Sequence, residues 1–344
     1  MKKRLFISFF ILTCCFLNLA SEGAVKSNTD KNTLKAQVDY TESLYDKNGG
    51  YYGLDLIKAS KKTADMYYGL KNQEYGNLEK AYWYYFVAMT GAKNELSKKP
   101  SKENTLLAAN CAIEANKVEA EIFNNGKNKD FNRYITSGTI ENIVNQMQAQ
   151  NLNSTPVMVK LASALISTYI MEGNYQKIPP VINAVKNMVT PSMNNNLKIA
   201  VEDFFENTYK TCLNIKDYNN AIIAAQEYKQ AEVILANYNI DVIKQSKKLK
   251  NIYDMLAETY LLQGNTIESC QYAKKSYNVT YYLYPNDLDI RRFEPFFSVA
   301  GICKNDQNTS AKYYAYKAYK NGLNNSSNYN IKEQTQEAKR LYEN

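Results

Sequence analysis

The stretch "LAETYLLQGNTIESCQYA", residues 256–273, decides the fold because it joins two amphipathic segments through a two-residue break. Gly264 permits the backbone of a tight turn, and Asn265 followed by Glu268 is typical of a helix-capping box. Apolar side chains recur every three or four residues on both sides, which predicts two helices that pack antiparallel. They are Ile252, Tyr253, Leu256, Tyr260 and Leu261 before the break, then Ile267, Cys270, Ala273, Tyr277, Tyr281 and Tyr284.

The same break recurs along the chain, which predicts a series of helical hairpins. Further breaks fall at Gly76-Asn77, Gly173-Asn174, Lys216-Asp217 and Asn305-Asp306. Additional helices are predicted over residues 104–123 and 131–150, where apolar residues keep a helical period. The chain is therefore expected to be helical almost throughout.

These hairpins resemble tetratricopeptide repeats. That signature places Leu, a small residue and Tyr on the first helix, Gly-Asn or Gly-Asp at the turn, then Ala and an aromatic residue on the second. The matching residues are Leu256, Ala257, Tyr260, Gly264 and Asn265; Leu165, Tyr169, Gly173, Asn174 and Tyr175; Gly69, Gly76, Asn77, Ala81 and Ala88; Asp217, Tyr218 and Ala221.

The resemblance has departures. The later breaks lie roughly 41 to 48 residues apart instead of about 34, the closing proline is displaced or missing, and Ile178 stands where a repeat has alanine. The resemblance implies an all-α, right-handed superhelical solenoid of about five to six antiparallel helix pairs over residues 55–320. A helical bundle without repeat order is the alternative.

The N-terminus, residues 1–23, is typical of a secretory signal peptide: Lys2, Lys3 and Arg4 precede an apolar run and then small residues. That run is shorter than the about 20 residues of a membrane span, and no later segment is apolar enough to serve. Lipid attachment at Cys14 or Cys15 stays open, although neither follows the small residue that a bacterial lipoprotein motif places there.

Export to the periplasm or the cell exterior follows from this leader, with attachment to the envelope as an open alternative. After the leader, we expect residues 24–54 to be flexible or loosely packed, because "AVKSNTDKNT" is polar and "YDKNGGYYG" reads as a loop. At the other end, residues 321–344 are expected to form a loop and a capping helix.

Composition argues against catalysis. The chain has 344 residues, a formal net charge of +8 and no histidine. A Ser–His or Cys–His pair is therefore impossible within it, and no glycine-rich phosphate loop follows a predicted strand. Paired carboxylates such as Glu202-Asp203 are typical of a solvated helix face. We predict no enzyme, no catalytic residue and no cofactor.

Nucleic acid and metal are also unexpected ligands. The lysines are scattered among acidic residues without a recognisable nucleic-acid motif. The four cysteines that follow the leader form no C-x-x-C pair, and no histidine exists to complete a mixed zinc site. They are Cys111, Cys212, Cys270 and Cys303.

Cys270 and Cys303 have two interpretations. In a solenoid, the second helix of one hairpin packs antiparallel to the first helix of the next, which places both cysteines at the same level. A disulfide between them is therefore sterically reasonable. The alternative, which the sequence favours, is two small free residues of the core, because an oxidising compartment is not established.

The resemblance implies that a peptide or partner protein binds in a concave groove lined by the first helices. Transferred to this sequence, the groove positions are Asp203, Glu206, Lys210, Asn251, Asp254, Glu258 and Leu261. The set leans acidic, which suits a basic or lysine-containing partner. The alternative is a solvated helix face without a ligand.

A second binding candidate is the stretch "YYLYPNDLDIRRFEP", residues 281–295, which interrupts the repeats. Exposed Tyr284, Arg291 and Arg292 would have the composition of an interaction hot spot. The structural alternative, which the sequence favours, pairs the two arginines with Asp287, Asp289 and Glu294.

The sequence as a whole therefore predicts an exported protein-interaction scaffold or adaptor of a bacterial envelope. Its partner is a protein or peptide whose identity, like the oligomeric state, stays open. A structural or lipid-anchored envelope component is the alternative, and an enzyme with an unrecognised carboxylate site is the remaining one.

Overall fold

A computed structural model describes residues 31–72, 76–125, 133–244, 246–306, 310–327 and 329–343. The expected signal peptide, with Cys14 and Cys15, lies outside these residues. All regular structure within the described ranges is helical, which confirms the all-α prediction. The chain divides into two compact units, one ending at Leu152 and the other beginning at Asn153, where the sequence predicts a single solenoid over 55–320.

The described residues of unit 1 form five helices, and each packs against the next along the chain. They are α1 (Lys31–Asn48), α2 (Leu54–Gly69), α3 (Gly76–Lys98), α4 (Lys102–Asn124) and α5 (Ser137–Ala149). Of the segment 24–54, expected to be flexible or loosely packed, the described part from Lys31 to Asn48 is helical, because α1 covers it. Thr41 is the only buried side chain described in α1, and its hydroxyl lies 2.9 Å from that of Thr63.

Unit 2 contains ten α-helices among its described residues, arranged as neighbouring pairs. They are α6 (Pro156–Glu172), α7 (Ile178–Lys186), α8 (Asn195–Asn214), α9 (Tyr218–Leu235), α10 (Ile240–Lys244), α11 (Lys247–Leu262), α12 (Thr266–Leu283), α13 (Phe293–Ile302), α14 (Ala311–Asn325) and α15 (Lys332–Glu343). In the pairs α8–α9, α11–α12 and α13–α14, the turn between the two helices lies at a break predicted from the sequence. Contacts of α9 with α11 and of α12 with α13 join successive pairs.

Local capping chemistry sets the turns of unit 2. Gly173 ends α6 and Gly264 precedes α12, with φ of 73° and 87°, a region that glycine enters without a Cβ clash. The side chain of Asn265 accepts a hydrogen bond of 3.2 Å from the backbone N–H of Glu268. Thr155 caps α6 in the same way, ahead of Pro156. The helix cap expected at Asn265 is therefore confirmed.

The buried face of α12 differs from the apolar stripe read from the sequence. Ile267 is 72% exposed, and Tyr281 is exposed as well. The buried face of this helix carries small hydroxyl residues beside the apolar ones, among them Ser269 and Ser276. Because the sequence-based stripe was drawn through apolar residues alone, it indicated the wrong face of the helix. The hydroxyl of Ser269 donates a hydrogen bond of 2.6 Å to the carbonyl of Ala257 in α11. This polar group therefore has a hydrogen-bond partner in the interior of the hairpin.

Candidate functional site

The groove residues expected from the sequence lie on the outward sides of α8 and α11 in unit 2. Phe204 and Phe205 of α8 and Leu256 of α11 point into the core, so the opposite side of each helix faces solvent. We call this surface the α8–α11 face. It comprises Asp203, Glu206, Lys210, Asn251, Asp254, Glu258 and Leu261.

Side-chain contacts hold α8 beside α11. The hydroxyl of Tyr209 donates to the carbonyl of Met255, 3.2 Å away, and lies 3.1 Å from the hydroxyl of Thr259. An ion pair between Lys248 and Glu202 joins the same two helices closer to solvent. The first helices of two successive hairpins are therefore neighbours, as the resemblance requires for a shared surface.

Two of the four acidic residues on the α8–α11 face are neutralised locally. Glu206 pairs with Lys210 at 2.5 Å. Asp254 pairs with Lys250 at 2.6 Å and accepts a hydrogen bond from Ser276 at 2.5 Å. Asp203 and Glu258 form no ion pair with any described residue, so neither carboxylate has a cation in direct contact within that part of the chain.

The surroundings of these two carboxylates exclude part of their water. Desolvation is the largest cause that raises the pKa of Glu258, and Asp254 adds to it. Desolvation also raises the pKa of Asp203. Glu206 and Glu202 add to this rise, and Lys160 and Lys210 oppose it. Both side chains remain exposed, so a ligand can still reach them. A cation placed here would stabilise the charged form that desolvation disfavours.

A buried carboxyl group, which the sequence did not single out, lies beside this face. Glu232 of α9 is buried, and its Oε1 has no hydrogen-bond partner among the described residues. Desolvation raises its pKa, Lys248 opposes this, and the neighbouring Glu202 adds to it. No local pattern reveals this group, because α8, α9 and α11 bring the three charges together only on folding.

Both arginines of the stretch 281–295 form ion pairs with aspartates of the same stretch, which agrees with the structural alternative to a binding site. Arg292 is 1% exposed, forms an ion pair with Asp287 and donates to the carbonyl of Pro285 at 3.0 Å. The side chain of Arg291 makes two hydrogen bonds to Asp289 and stacks 3.8 Å from the ring centroid of Tyr284. Glu294 is exposed and contributes no ion pair to the described residues. The hot-spot interpretation fails for Arg292, whose charge is buried by this packing.

Cys270 and Cys303 form a disulfide with their Cα atoms 5.0 Å apart. The sequence favoured two free core thiols; the structure differs because the packing of α12 on α13 brings the Cα atoms within the roughly 4.4 to 6.8 Å that a disulfide spans. Cys111 and Cys212 are free and buried. Burial raises the pKa of each of these thiols to about 12, which makes them unreactive at neutral pH.

Two further features concern metal and membrane. No group of three or more Cys, Asp or Glu in the described parts of the chain is arranged to hold a metal ion. Among the helices described, none combines the length and the apolar character that crossing a bilayer requires.

No protein-family model matches the chain, and no curated protein matches its sequence. The function is therefore argued from the geometry of the site.

Proposed function

We propose that this chain is an exported, tetratricopeptide-like solenoid that binds a partner protein or peptide through the α8–α11 face. In this proposal the helix pairs of unit 2 follow a right-handed superhelical path, with α8 and α11 as first helices of successive repeats. The observation that carries the proposal is a pair of partly desolvated carboxylates, Asp203 and Glu258, which form no ion pair with the described part of the chain. They lie on two helices that Tyr209 joins.

The partner presents basic side chains to this face. Within the residues that the structure describes, Asp203 and Glu258 have no ion-pair partner, while Glu206 and Asp254 already have a lysine. A lysine or arginine of the partner would supply the missing positive charges and would gain strength where water is excluded. Leu261 is exposed near the end of α11. Its side chain would add an apolar contact beside the charged ones.

Export is supported by the leader sequence and by the disulfide. Disulfides persist in the periplasm and outside the cell, and are rare in a reducing cytosol. The bond between Cys270 and Cys303 fits that environment. We propose that the mature chain works in the periplasm or outside the cell, as an interaction scaffold without chemistry of its own.

A capture experiment with charge-neutral variants tests this proposal. The bait is the mature protein, used on an envelope fraction, and its test variant carries Asp203→Asn and Glu258→Gln. The matched control carries Glu294→Gln and Glu333→Gln, which remove the same charge from exposed positions of unit 2. We expect one partner captured by the native and control baits and lost by the test variant.

Other outcomes point to the alternatives. Capture of the protein alone would indicate a structural component, and a lipid-modified Cys14 or Cys15 in the intact mass would indicate an anchored one. Turnover of a substrate that is lost with Asp203→Asn would indicate an enzyme. Equal capture by both variants would refute binding at the α8–α11 face.

A further inference from the structure

A short segment of unit 2 carries large apolar side chains on its outer surface. It follows α9, contains α10 and ends before α11. Tyr238 is 63% exposed, Ile240 64% and Val242 52%. Tyr282, near the end of α12, is 51% exposed. Scattered exposed apolar residues are ordinary, whereas several that lie together indicate an interaction surface. We call these four residues, with Lys244 and Lys247, the α10 patch.

Contacts between α10 and α12 make the patch continuous. The two helices pack against each other. The Nζ atom of Lys244 lies 5.5 Å from the ring centroid of Tyr282, which joins the two helices by a cation–π contact. A positive charge therefore borders the apolar part of the patch.

The backbone before α10 is strained where it turns Tyr238 outward. Asn237 and Tyr238 have φ of 49° and 57°, in the left-handed region. Asparagine enters this region readily, but a bulky residue such as tyrosine does so at a cost in free energy. Because the ring of Tyr238 is mostly exposed, packing within the chain offsets little of this cost. Strain of this kind is typical of functional positions.

Hydrogen bonds hold this segment in place despite the strain. The backbone N–H of Tyr238 donates to the carbonyl of Val233 at 3.1 Å. The side-chain oxygen of Asn239 accepts from the backbone N–H of Asp241 at 3.0 Å and from that of Val242 at 3.3 Å, which caps α10. The apolar side chains are therefore presented by an ordered turn, which lowers the entropic cost of binding.

The charged residues along this segment are mainly cationic. Residues 238–250 contain four lysines and one acidic residue, Asp241. Two of the lysines pair with carboxylates of α8 and α11. Lys244 and Lys247 form no ion pair with the part of the chain that the structure describes, and both are exposed. Two cations beside the apolar surface are therefore available to an anionic partner.

The exposure and composition of the patch favour a lipid bilayer over a protein groove. Each of its four apolar or aromatic side chains is more than half exposed, so these side chains project from the surface. A protein partner would need a cavity matched to this projection, whereas the interfacial region of a bilayer accepts apolar side chains in any arrangement. Tyrosine rings are enriched at that interface, and lysines add attraction to anionic headgroups.

We propose that the α10 patch binds the surface of a bilayer that contains anionic phospholipids. Ile240 and Val242 enter the boundary between headgroups and acyl chains. The rings of Tyr238 and Tyr282 lie at the level of the headgroups, and the two free lysines contact lipid phosphates. The contact is peripheral. It does not depend on the α8–α11 face, and because lipid vesicles contain no protein partner, a failure to bind them leaves that proposal unaffected.

Sedimentation of the mature protein with vesicles tests the proposal. The vesicles contain phosphatidylcholine alone or phosphatidylcholine mixed with phosphatidylglycerol, and we expect binding to the mixed vesicles. Ile240→Gln with Val242→Gln should weaken this binding by roughly tenfold or more, because it removes apolar surface that the bilayer would bury. The matched control is Ile215→Gln with Ile267→Gln, which should leave binding unchanged. These exposed residues lie near the beginnings of α9 and α12, whereas the patch lies at the ends of these helices.

The lysines test the electrostatic part of the contact. Lys244→Gln and Lys247→Gln should each weaken binding to the mixed vesicles by roughly fivefold. Neither should change the interaction with phosphatidylcholine alone, where a folding defect would weaken both. The circular dichroism of all variants should match that of the parent protein.

A tryptophan placed in the patch reports insertion. Because Trp83 is the only tryptophan of the chain, Trp83→Phe with Tyr238→Trp carries a single indole at the patch. Its emission should shift to shorter wavelength with the mixed vesicles and be quenched by brominated lipid. Trp83→Phe with Tyr175→Trp, at an exposed position of the turn after α6, should show neither effect.

Absence of binding to the mixed vesicles, or binding that Ile240→Gln with Val242→Gln leaves intact, would overturn the proposal. Self-association that this variant loses, without any binding to vesicles, would overturn it in favour of a second copy of the chain.

Discussion

Tyr209 of α8 and Thr259 of α11 share a hydrogen bond of 3.1 Å in the interior of unit 2. Because these helices belong to successive hairpins, the bond fixes one hairpin against the next. It also holds the outward sides of both helices next to each other, where Asp203 and Glu258 lie. The interior contact and the candidate binding surface are therefore parts of one arrangement.

The two adjacent arginines should differ sharply in their effect on stability. Arg292→Ala removes a buried cation that pairs with Asp287 and donates to Tyr277, so we expect the free energy of unfolding to fall by roughly 3 kcal/mol. Arg291→Ala should change it far less, because that side chain is 58% exposed and its ion pair is screened by water. Urea denaturation of both variants measures the difference, and equal losses would contradict it.

Breaking the disulfide should destabilise unit 2. Cys270 and Cys303 are separated by 33 residues, and closing a loop of this length stabilises the folded state by roughly 3 to 4 kcal/mol in the chain-entropy model. We expect Cys270→Ala with Cys303→Ala to lower the melting temperature, and a reductant to have no effect on this variant.

The free cysteines provide the control for this prediction. Replacing Cys111 and Cys212 by alanine should leave the response to reductant unchanged, because neither forms a disulfide. A non-reducing peptide map should show the fragment that links Cys270 to Cys303. Its absence from protein purified without reductant would contradict the bond.

Glu232 should destabilise the protein at neutral pH. Burial raises its pKa above the usual value of 4.5, so the folded state holds this proton more tightly than the unfolded state does. Tighter proton binding in the folded state contributes fully to the free energy of unfolding below pH 4.5. This contribution is lost as the pH rises through the raised pKa of Glu232. Glu232→Gln mimics the protonated form, so it should stabilise the protein at pH 7 and lose this advantage at low pH.

The measurement is the free energy of unfolding of parent and variant between pH 4 and pH 8. The matched control is Glu294→Gln, an exposed glutamate of the same unit. A gain from Glu232→Gln that is constant across this range would refute the titration of Glu232 as its cause.

Two helical glycines should respond oppositely to alanine. A Cβ on Gly322 of α14 would lie 2.2 Å from the hydroxyl oxygen of Thr335 and 2.9 Å from the ring of Phe293. Gly322→Ala should therefore cost roughly 1 to 3 kcal/mol through forced repacking of α15. A Cβ on Gly301 of α13 meets nothing within 4 Å, so Gly301→Ala should be neutral or stabilising by up to about 1 kcal/mol. Thermal melts of both variants decide this prediction.

The turns of unit 2 were predictable because their causes are local. Gly264 and Asn265 set the turn between α11 and α12 through a left-handed backbone and a side-chain cap, and both are legible in a few residues. The general class of the fold follows from such turns. The division of the chain after Leu152 depends on which helices pack together, and no local pattern records that.

Side-chain environments were less predictable because distant residues create them. Arginine is a residue type usually found at the surface, yet Arg292 is enclosed by Tyr277, Phe296 and Asp287. Trp83 lies among apolar residues at helical spacing, which suggests the core, but its side of α3 faces solvent. Periodicity gives the relative orientation of residues on one helix, whereas burial requires the neighbouring helices.

Site-specific photo-crosslinking measures binding at the α8–α11 face without altering its charges. A photoreactive amino acid replaces Asn251, which is exposed on that face, or Gln271, which is exposed on α12 away from it. On irradiation of cells that export the protein, we expect an adduct with one partner from position 251 alone. The adduct should disappear when Asp203→Asn and Glu258→Gln are added. Adducts of equal yield from both positions, or none from position 251, would show that the partner does not bind at the α8–α11 face.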